Sequence, residues 1–376
     1  MIYLDCNATT PLEPELSQLI LNLMLSEYGN EGSRTHEYGS LAKRVVQKAR
    51  QQVADLLNGQ PEEVIFTSGA TESNNLAILG LSEYGINQQK NHIITTSIEH
   101  KAVLEPIAEL EKRGYEISYV APDSSGRVDA EEILKKIKPT TLLISVMHVN
   151  NETGIIQPIA RIAEGLEKYD IFFHTDAAQS FGKIHGELQN KRIDLVSFSG
   201  HKIFAPKGIG GLLIRKRNMK APPLKPLFFG GGQERGLRPG TLPTHLIAAL
   251  GQASELSMRD HDLREKKCRE IQKVAIDFFQ SIGGIVNGKK EYLLPTTLNI
   301  HLPGIRSEAA MVVLKSIVAI SNGSACTSSS YEPSHVLKEH GLNDAELKEC
   351  IRVSWCHLTP KIPWVQIKNA LEILKN

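Results

Sequence analysis

One lysine of this chain, Lys202, stands where it could do covalent chemistry. It ends the segment Ser197-Phe198-Ser199-Gly200-His201-Lys202, and the apolar run before it, residues 193–196, reads as a buried strand. Partial burial lowers the pKa of a lysine amine, and a deprotonated amine can condense with an aldehyde to form an imine. Most lysines at strand ends are solvated surface groups, so Lys202 needs a second feature to be assigned chemistry.

Asp176 provides that second feature. It ends another apolar run, residues 171–175, so the two side chains are expected at the carboxyl ends of neighbouring strands. Pyridoxal 5'-phosphate (PLP) requires both groups, because a carboxylate keeps its pyridinium nitrogen protonated and a lysine carries its aldehyde. The pair therefore predicts a PLP site.

A cysteine in the last quarter of the chain is the second candidate for chemistry. Cys326 lies within residues 321–330, a stretch of small and hydroxylated residues with no apolar partner to bury a thiol. Most cysteines are buried and inert, but a thiol on a polar loop is suited to meet a substrate. Cys350 and Cys356, which flank Arg352, and Cys6 are alternatives.

Other polar segments also follow predicted strands, but each of them alone is weaker evidence for a functional site. Residues 68–73 (SGATES) join a strand to a helix and suit an anion, although an ordinary helix cap is equally consistent with them. His100 suits stacking or proton transfer, but a structural histidine is the usual interpretation. Residues 150–154 and the glycine-rich residues 230–236 are otherwise typical of turns and loops.

The composition is that of a globular enzyme with no polyelectrolyte character. The chain has 376 residues, 41% hydrophobic and 23% charged, with a formal net charge of +1. This balance gives no electrostatic reason to expect direct nucleic-acid or membrane binding. The five cysteines are scattered and include no C-x-x-C pair, which argues against a disulfide framework and against a zinc site. Together with an N-terminus that does not resemble a secretory signal, they favour a cytoplasmic protein.

The elements that must position these groups alternate between strand and helix. Apolar runs at 64–67, 92–95, 117–120, 142–146, 171–175 and 195–197 are separated by helical stretches, which predicts an α/β fold with a mostly parallel sheet. A long helical stretch runs from 243 to about 280, and the remainder reads as a smaller α+β unit. We expect a large domain at 15–255 and a small domain made of 1–14 and 256–376, which carries Cys326.

Taken together, the motifs resemble the group I cysteine desulfurases, relatives of the nitrogen-fixation and iron–sulfur-cluster enzymes. The similar segments are residues 197–202, 68–73, 147–152, the glycine-rich loop with Gly240-Thr241, and 324–328, in the order of that family. The resemblance covers nearly the whole chain, from Tyr3 to about Thr359. It implies a fold type I PLP-dependent transferase with a seven-stranded sheet, and a homodimer with its active sites at the subunit boundary.

The resemblance also implies which residues bind the cofactor. Lys202 would carry PLP, Asp176 would pair with its ring nitrogen, and Gln179 would hydrogen-bond its ring hydroxyl. His100 would stack on the ring and move protons. The phosphate would be held by Ala70, Thr71, Ser199, His201 and, from the partner subunit, Thr241.

For the substrate, the resemblance implies L-cysteine. Asn151 and Arg352 would bind its carboxylate, and Lys202 would take the proton from its α-carbon. The Cys326 thiolate would then attack the substrate sulfur, leaving L-alanine and a persulfide for transfer to an acceptor protein.

The sequence departs from the family pattern in three places. Pro239 stands where the family has serine, and proline removes an amide donor near the phosphate. Residues 354–357 read Ser-Trp-Cys-His in place of a Ser-Leu-Gly-Arg-like continuation, and residues 30–33 lack a customary proline. The short C-terminus favours an acceptor other than an iron–sulfur scaffold, for example in tRNA thiolation or DNA phosphorothioation.

Two alternative functions remain open from the sequence. One is another fold type I activity, such as selenocysteine lyase or an aminotransferase. The other is a non-catalytic scaffold for sulfur transfer.

Overall fold

The structure is a computed structural model that describes residues 1–323 and 333–375, so Cys326 lies outside the described residues. The strands in these ranges are β1 (Ile2–Tyr3), β2 (Val64–Thr67), β3 (His92–Thr96), β4 (Glu116–Val120), β5 (Thr141–Ser145), β6 (Phe172–Asp176), β7 (Leu195–Ser199), β8 (Gly210–Ile214), β9 (Ile285–Val286), β10 (Thr297–His301), β11 (Val318–Ala319) and β12 (Cys350–Ser354). The helices are α1 (Leu16–Leu25), α2 (Glu37–Leu56), α3 (Ala70–Leu79), α4 (Ser82–Asn87), α5 (Lys101–Lys112), α6 (Ala130–Lys135), α7 (Ile159–Gly165), α8 (Thr244–Arg259), α9 (His261–Ser281), α10 (Ser307–Leu314), α11 (His335–Glu339), α12 (Asp344–Leu347) and α13 (Trp364–Glu372). None of these helices combines the length and the apolar character that crossing a membrane requires.

A seven-stranded sheet forms the centre of the larger unit. Its strand order is β2-β8-β7-β6-β5-β3-β4, and β8 is antiparallel to both of its neighbours. The pairs β7–β6, β6–β5, β5–β3 and β3–β4 are all parallel. The predicted α/β fold with a mostly parallel seven-stranded sheet is therefore confirmed.

Helices cover both faces of this sheet, which explains why its strands read as continuous apolar runs. Adjacent residues of one strand enter different cores: Ile94 packs with residues of α2 and α8, whereas Ile93 packs with residues of α3 and α5. Val196 and Leu195 of β7 divide in the same way. The sheet is thus fixed on both sides, and the carboxyl ends of its strands form a rigid edge.

A smaller unit is built on the antiparallel sheet β12-β10-β9. Leu298, Val353 and Trp355 lie in a separate hydrophobic core with residues of α9, α10 and α13. The separate core agrees with a division near residue 256, and the proposed boundaries 15–255 and 1–14 with 256–376 stay a prediction.

The N-terminal segment runs across both units. β1 pairs with β11, and Asp5 then bridges to Ser354 at the end of β12. A few residues later, the Thr10 amide donates to the carbonyl of His201, 3.0 Å away. Residues 5–10 therefore lie between the predicted cofactor lysine and the predicted substrate arginine.

Candidate active site

An open cleft of about 1250 Å³ lies where the carboxyl ends of β6 and β7 meet the start of α3. Its walls include ten of the predicted site residues: Ala70, Thr71, His100, Asn151, Asp176, Gln179, Ser199, His201, Lys202 and Arg352. Thr241 is exposed and does not line this cleft. Residues more than 280 positions apart in the sequence thus meet at one edge of the sheet.

Lys202 enters the cleft from a short 3-10 turn, Gly200–Lys202, that directly follows β7. Its Nζ donates hydrogen bonds to the backbone carbonyls of Asn7 and Ala8, the latter at 2.9 Å. The carbonyl of Asn7 also accepts a 3.0 Å hydrogen bond from Nε2 of Gln179. The N-terminal segment therefore orients both the lysine and a second predicted cofactor ligand.

Asp176 lies at the end of β6, opposite Ser197 of β7, and is only 5% exposed. Its Oδ2 accepts a 2.7 Å hydrogen bond from Nδ2 of Asn74 on α3, and its Oδ1 accepts from the Ala178 amide at 2.9 Å. Two donors fix the plane of the carboxyl group while it faces the cleft. This is the arrangement that a carboxylate aimed at a protonated ring nitrogen needs.

The start of α3 forms an anion cradle beside these residues. Gly69, directly before the helix, has φ 155° and ψ −179°, a conformation essentially restricted to glycine. No side chain caps this helix, so its first amides lack the usual side-chain acceptor. A Cβ on Gly210 of β8 would lie 2.6 Å from the Gly69 Cα. The backbone of β8 can therefore approach Gly69 this closely only because residue 210 is glycine.

The surroundings of His201 and Glu72, near the cradle, determine the charge that each side chain carries. Burial lowers the pKa of His201 to about 4, with further lowering by Lys202 and Lys207, so the ring is neutral at pH 7. Burial opposes ionisation of Glu72, but hydrogen bonds from Arg238 and Ser68 outweigh it and hold the pKa of that carboxyl below its usual value. The Glu72 charge is balanced by the Arg238 guanidinium at 2.9 Å.

His100 is the residue that immediately precedes α5. Its Nδ1 accepts a 3.0 Å hydrogen bond from the Ala102 amide, which leaves the proton of the neutral ring on Nε2. Burial lowers the pKa of His100, although the nearby Asp176 charge acts in the opposite direction. The residue is thus a neutral imidazole with a fixed tautomer, which can donate the proton on Nε2 and take it back.

Arg352 projects from β12 at the opposite end of the cleft. Its Nη1 donates to the carbonyl of Asn151 at 2.9 Å, and its Nη2 pairs with Oδ1 of Asp5 at 2.8 Å. Its Nε is buried and has no hydrogen-bond partner. A guanidinium held on two sides and still carrying unused donors suits a planar carboxylate. Asn151 contributes its backbone carbonyl to this contact.

Sequence reasoning did not identify several residues that hold the site together. Asn7, Asn74 and Asp5 are linked to Lys202, Asp176 and Arg352 respectively, over separations of 195, 102 and 347 positions. Because such contacts depend on the tertiary fold, no local sequence signal marks them.

Three observations test whether these residues fit PLP. A lysine amine and a buried, doubly hydrogen-bonded aspartate face the same cleft. The start of α3 has no side-chain cap, and Gly69 and Gly210 leave no side chain beside it, so its amides can donate to a phosphate. The Oδ1 of Asn74, beside Asp176, is buried without a hydrogen-bond partner. The residues therefore fit PLP.

Comparison with known proteins agrees with this chemistry. Residues 2–361 match the family described as Aminotransferase class-V. Cysteine desulfurase IscS of Vibrio cholerae is 40% identical over 377 aligned positions, which cover 100% of this chain and 92% of the relative.

Solved structures agree as well. A NifS-like protein superposes with a TM-score of 0.89 at 33% identity, and the match covers 100% of this chain and 98% of the NifS-like chain. SspA, solved in complex with cysteine, superposes with a TM-score of 0.84 at 36% identity, and the match covers 96% of this chain and 100% of the SspA chain. The fold, the cleft and these relatives together place the chain in the aminotransferase class V family, among its PLP-dependent cysteine desulfurases.

Proposed function

We propose that this protein converts L-cysteine to L-alanine and holds the released sulfur as a persulfide on Cys326 for transfer to an acceptor protein. The observation that carries the proposal is the convergence of Lys202, Asp176 and Arg352 on one cleft. Relatives named cysteine desulfurase favour this reaction over a selenocysteine lyase, another fold type I activity or a non-catalytic scaffold.

The cofactor would be held by the residues that line the cleft. Lys202 would carry it, Asp176 would face its ring nitrogen, and Gln179 would face its ring hydroxyl. The first amides of α3, at Ala70 and Thr71, would hold the phosphate with Ser199 and His201. When bound, PLP withdraws electrons from the substrate α-carbon, which makes its proton removable and weakens the bond to sulfur.

The remaining side chains would handle the substrate. Arg352 would bind the carboxylate beside Asn151 and thereby orient the α-carbon toward Lys202. The Lys202 amine would take the α-proton, and neutral His100 would exchange a proton at Nε2 with the departing sulfur. Each role requires only a group that already faces the cleft.

The described residues on either side of the Cys326 segment support its role as sulfur acceptor. Ser321 forms reciprocal backbone hydrogen bonds with Arg352, and Oγ of Ser334 donates to Oε2 of Glu152 at 2.5 Å. Glu152 directly follows Asn151. Both ends of the segment are therefore anchored beside the substrate-carboxylate end of the cleft.

We further propose a cytoplasmic homodimer in which Thr241 of each subunit reaches the phosphate site of the other. Thr241 is exposed and lies outside the cleft of its own chain, so it could act only across an interface. The acceptor would belong to iron–sulfur cluster assembly, tRNA thiolation or DNA phosphorothioation. The near-neutral charge favours a protein acceptor over direct contact with nucleic acid.

Product analysis tests the proposed reaction. The PLP-loaded protein, incubated with L-cysteine and dithiothreitol, should release sulfide and L-alanine in equal amounts. Cys326→Ser should abolish sulfide release, while the control Cys268→Ser, in a helix remote from the cleft, should retain it. Sulfide release that persists in Cys326→Ser would refute the role of Cys326. A keto-acid product would indicate an aminotransferase instead.

A further inference from the structure

A second, smaller cavity lies away from the active-site cleft and contains reactive groups that the proposed mechanism does not use. Cys6, Cys268 and Cys356 line it, together with Lys183. None of the predicted site residues lines it. Across the described ranges, no group of three or more His, Cys, Asp or Glu side chains could hold a metal ion, so metal binding does not explain the cluster.

Two of these cysteines pack together. Cys6 and Cys356 share a small hydrophobic cluster with Phe204, and both line the same inner cavity. The interaction between the two thiols lowers the pKa of Cys356 to about 7 and raises the pKa of Cys6. Cys356 is therefore the more readily ionised thiol of the pair, and the thiolate is the form that reacts with oxidants.

Small molecules can reach this pair from the surface. An outer groove of about 650 Å³ is lined by Cys6 and Cys356 together with Thr9 and Leu358. The two cysteines thus separate the outer groove from the inner cavity. Each is nearly buried, at 3% and 4% exposure, so an oxidant the size of a hydroperoxide suits the position better than a protein partner.

The pair is joined to the active site through both of its chain segments. Cys6 lies between Asp5, which pairs with Arg352, and Asn7, which accepts a hydrogen bond from Lys202. Cys356 lies two residues after Ser354, whose Oγ accepts a 2.9 Å hydrogen bond from the Asn7 amide. A displacement at either cysteine therefore reaches groups that face the substrate.

We propose that Cys6 and Cys356 form a thiol modification site that a hydroperoxide oxidises to a disulfide, and that this disulfide weakens amino-acid binding at the active site. The Cys356 thiolate attacks one peroxide oxygen, the O–O bond breaks, and a sulfenic acid and hydroxide form. The Cys6 sulfur then displaces the hydroxyl group of the sulfenic acid as water, and the S–S bond forms. The two cysteines lose two electrons, and hydrogen peroxide becomes one water and one hydroxide, which takes a proton from solvent to form the second water.

Closing the disulfide is expected to move the chain. Bonded sulfurs lie about 2.05 Å apart, much closer than two thiols in van der Waals contact. We expect the segment holding Cys6, the segment holding Cys356, or both to shift as the sulfurs come together. Because Asp5 and Asn7 flank Cys6, the shift alters the positions of Arg352 and Lys202.

The test uses the PLP-loaded protein carrying Cys326→Ser. This change removes the thiol proposed to accept sulfur, which peroxide could also oxidise, and it prevents turnover. After treatment with hydrogen peroxide, alkylation and digestion, mass spectrometry should find a peptide linking Cys6 to Cys356. Binding of L-alanine, followed by the visible absorption of PLP, should weaken about tenfold or more and recover with dithiothreitol. L-Alanine carries the substrate carboxylate but no thiol that could reduce the disulfide.

Two further variants complete the test. Adding Cys6→Ser should abolish the linked peptide and the change in L-alanine binding, while Cys268→Ser, in the same cavity, should leave both intact. Dimedone labelling of Cys356 in the Cys6→Ser protein should trap the sulfenic acid. Alkylation of both thiols after peroxide, or a linked peptide with unchanged L-alanine binding, would overturn the proposal. Neither readout depends on desulfurase turnover, so its failure would leave the proposed function standing.

Discussion

Individual residues of the cleft are held by partners that are distant in sequence. Asp176 is fixed by Asn74, Lys202 by the carbonyls of Asn7 and Ala8, and Arg352 by Asp5. These partners touch the predicted catalytic groups and determine where they point.

Replacing Asn74 with alanine should weaken PLP retention. The change removes the 2.7 Å hydrogen bond to Asp176, and hydrogen bonds to charged groups contribute about 1.5–3 kcal/mol, which corresponds to about tenfold or more. The rate of PLP loss on dialysis, followed by visible absorption, measures the effect. Asn75→Ala is the matched control, because Asn75 bonds only the Thr71 carbonyl in its own helix. Equal PLP retention in both variants would contradict this role of Asn74.

The principal chemical groups could be predicted from the sequence because their positions relative to strands are local. Lys202 and Asp176 each follow an apolar run, and parallel strands present their carboxyl ends at one edge. The roles of Asn7, Asn74 and Asp5 could not be predicted, since they depend on contacts between distant segments. The same holds for Asn151, which meets Arg352 through its backbone carbonyl.

Among the elements, the sheet and the helices on it set the shape of the site. Most strand positions follow from their apolar runs, but β8 was not identified because it begins with Gly210-Gly211, and glycine is a poor strand former. The prediction of one helical stretch from 243 to about 280 was wrong about continuity, because the stretch is α8 and α9 with a break at Asp260.

Replacing Gly210 with alanine should disrupt the phosphate cradle. A Cβ there would lie 2.6 Å from the Gly69 Cα and 2.5 Å from the Phe198 carbonyl oxygen, so backbone must move. We expect PLP binding to weaken and the melting temperature to fall by several degrees, as an overpacking cost of about 1–3 kcal/mol implies. Spectroscopic titration with PLP and thermal unfolding measure the two effects.

Gly32→Ala is the control for this change. A Cβ on Gly32 would meet only the end of the Asn30 side chain, at 3.3 Å. A Gly210→Ala protein with the PLP affinity and melting temperature of Gly32→Ala would refute the argument for close backbone approach.

His174 links three strands and should make the protein sensitive to acid. Its ring lies within hydrogen-bond distance of Ser145 on β5 and Ser197 on β7, and burial lowers its pKa to about 3. The unfolded chain, with a histidine pKa near 6.5, therefore binds more protons between pH 6.5 and 3. Stability from this residue is present above pH 6.5 and is lost as the pH falls through that range.

Urea unfolding at pH 7 and pH 5 measures this dependence. We expect His174 to account for about 2 kcal/mol of the decrease in the free energy of unfolding between these two values. His174→Gln should reduce the pH dependence by that amount, whereas His36→Gln, at an exposed position, should not change it. An unchanged pH dependence in His174→Gln would contradict the prediction.

For the whole molecule, the proposed homodimer explains why Thr241 lies outside the cleft of its own chain. Its counterpart would complete the phosphate site across the interface. The sequence resemblance alone suggested this arrangement, because the residues of a single chain cannot reveal a contact between two.

Mixed dimers of two inactive variants test this prediction. Lys202→Ala and Thr241→Ala homodimers should each lack full activity. In a mixed dimer, one site carries both changes and the other site carries neither. Each mixed dimer should therefore have one working site of two, and about half of the wild-type activity per dimer. Dimers of Lys202→Ala and Arg352→Ala serve as a control, because both residues line the cleft of the same chain, so each site of a mixed dimer lacks one of them and no activity should return. A monomer by sedimentation, or no restored activity on mixing, would refute the shared site.

The most direct test of the central claim is to map the sulfur after a single turnover. The PLP-loaded protein is mixed with L-cysteine without reductant, alkylated at once, digested and examined by mass spectrometry. The account predicts one additional sulfur atom on the peptide containing Cys326, formed in step with L-alanine and absent in Lys202→Ala. L-Alanine formed without sulfur on Cys326, or sulfur located on another cysteine, would contradict it.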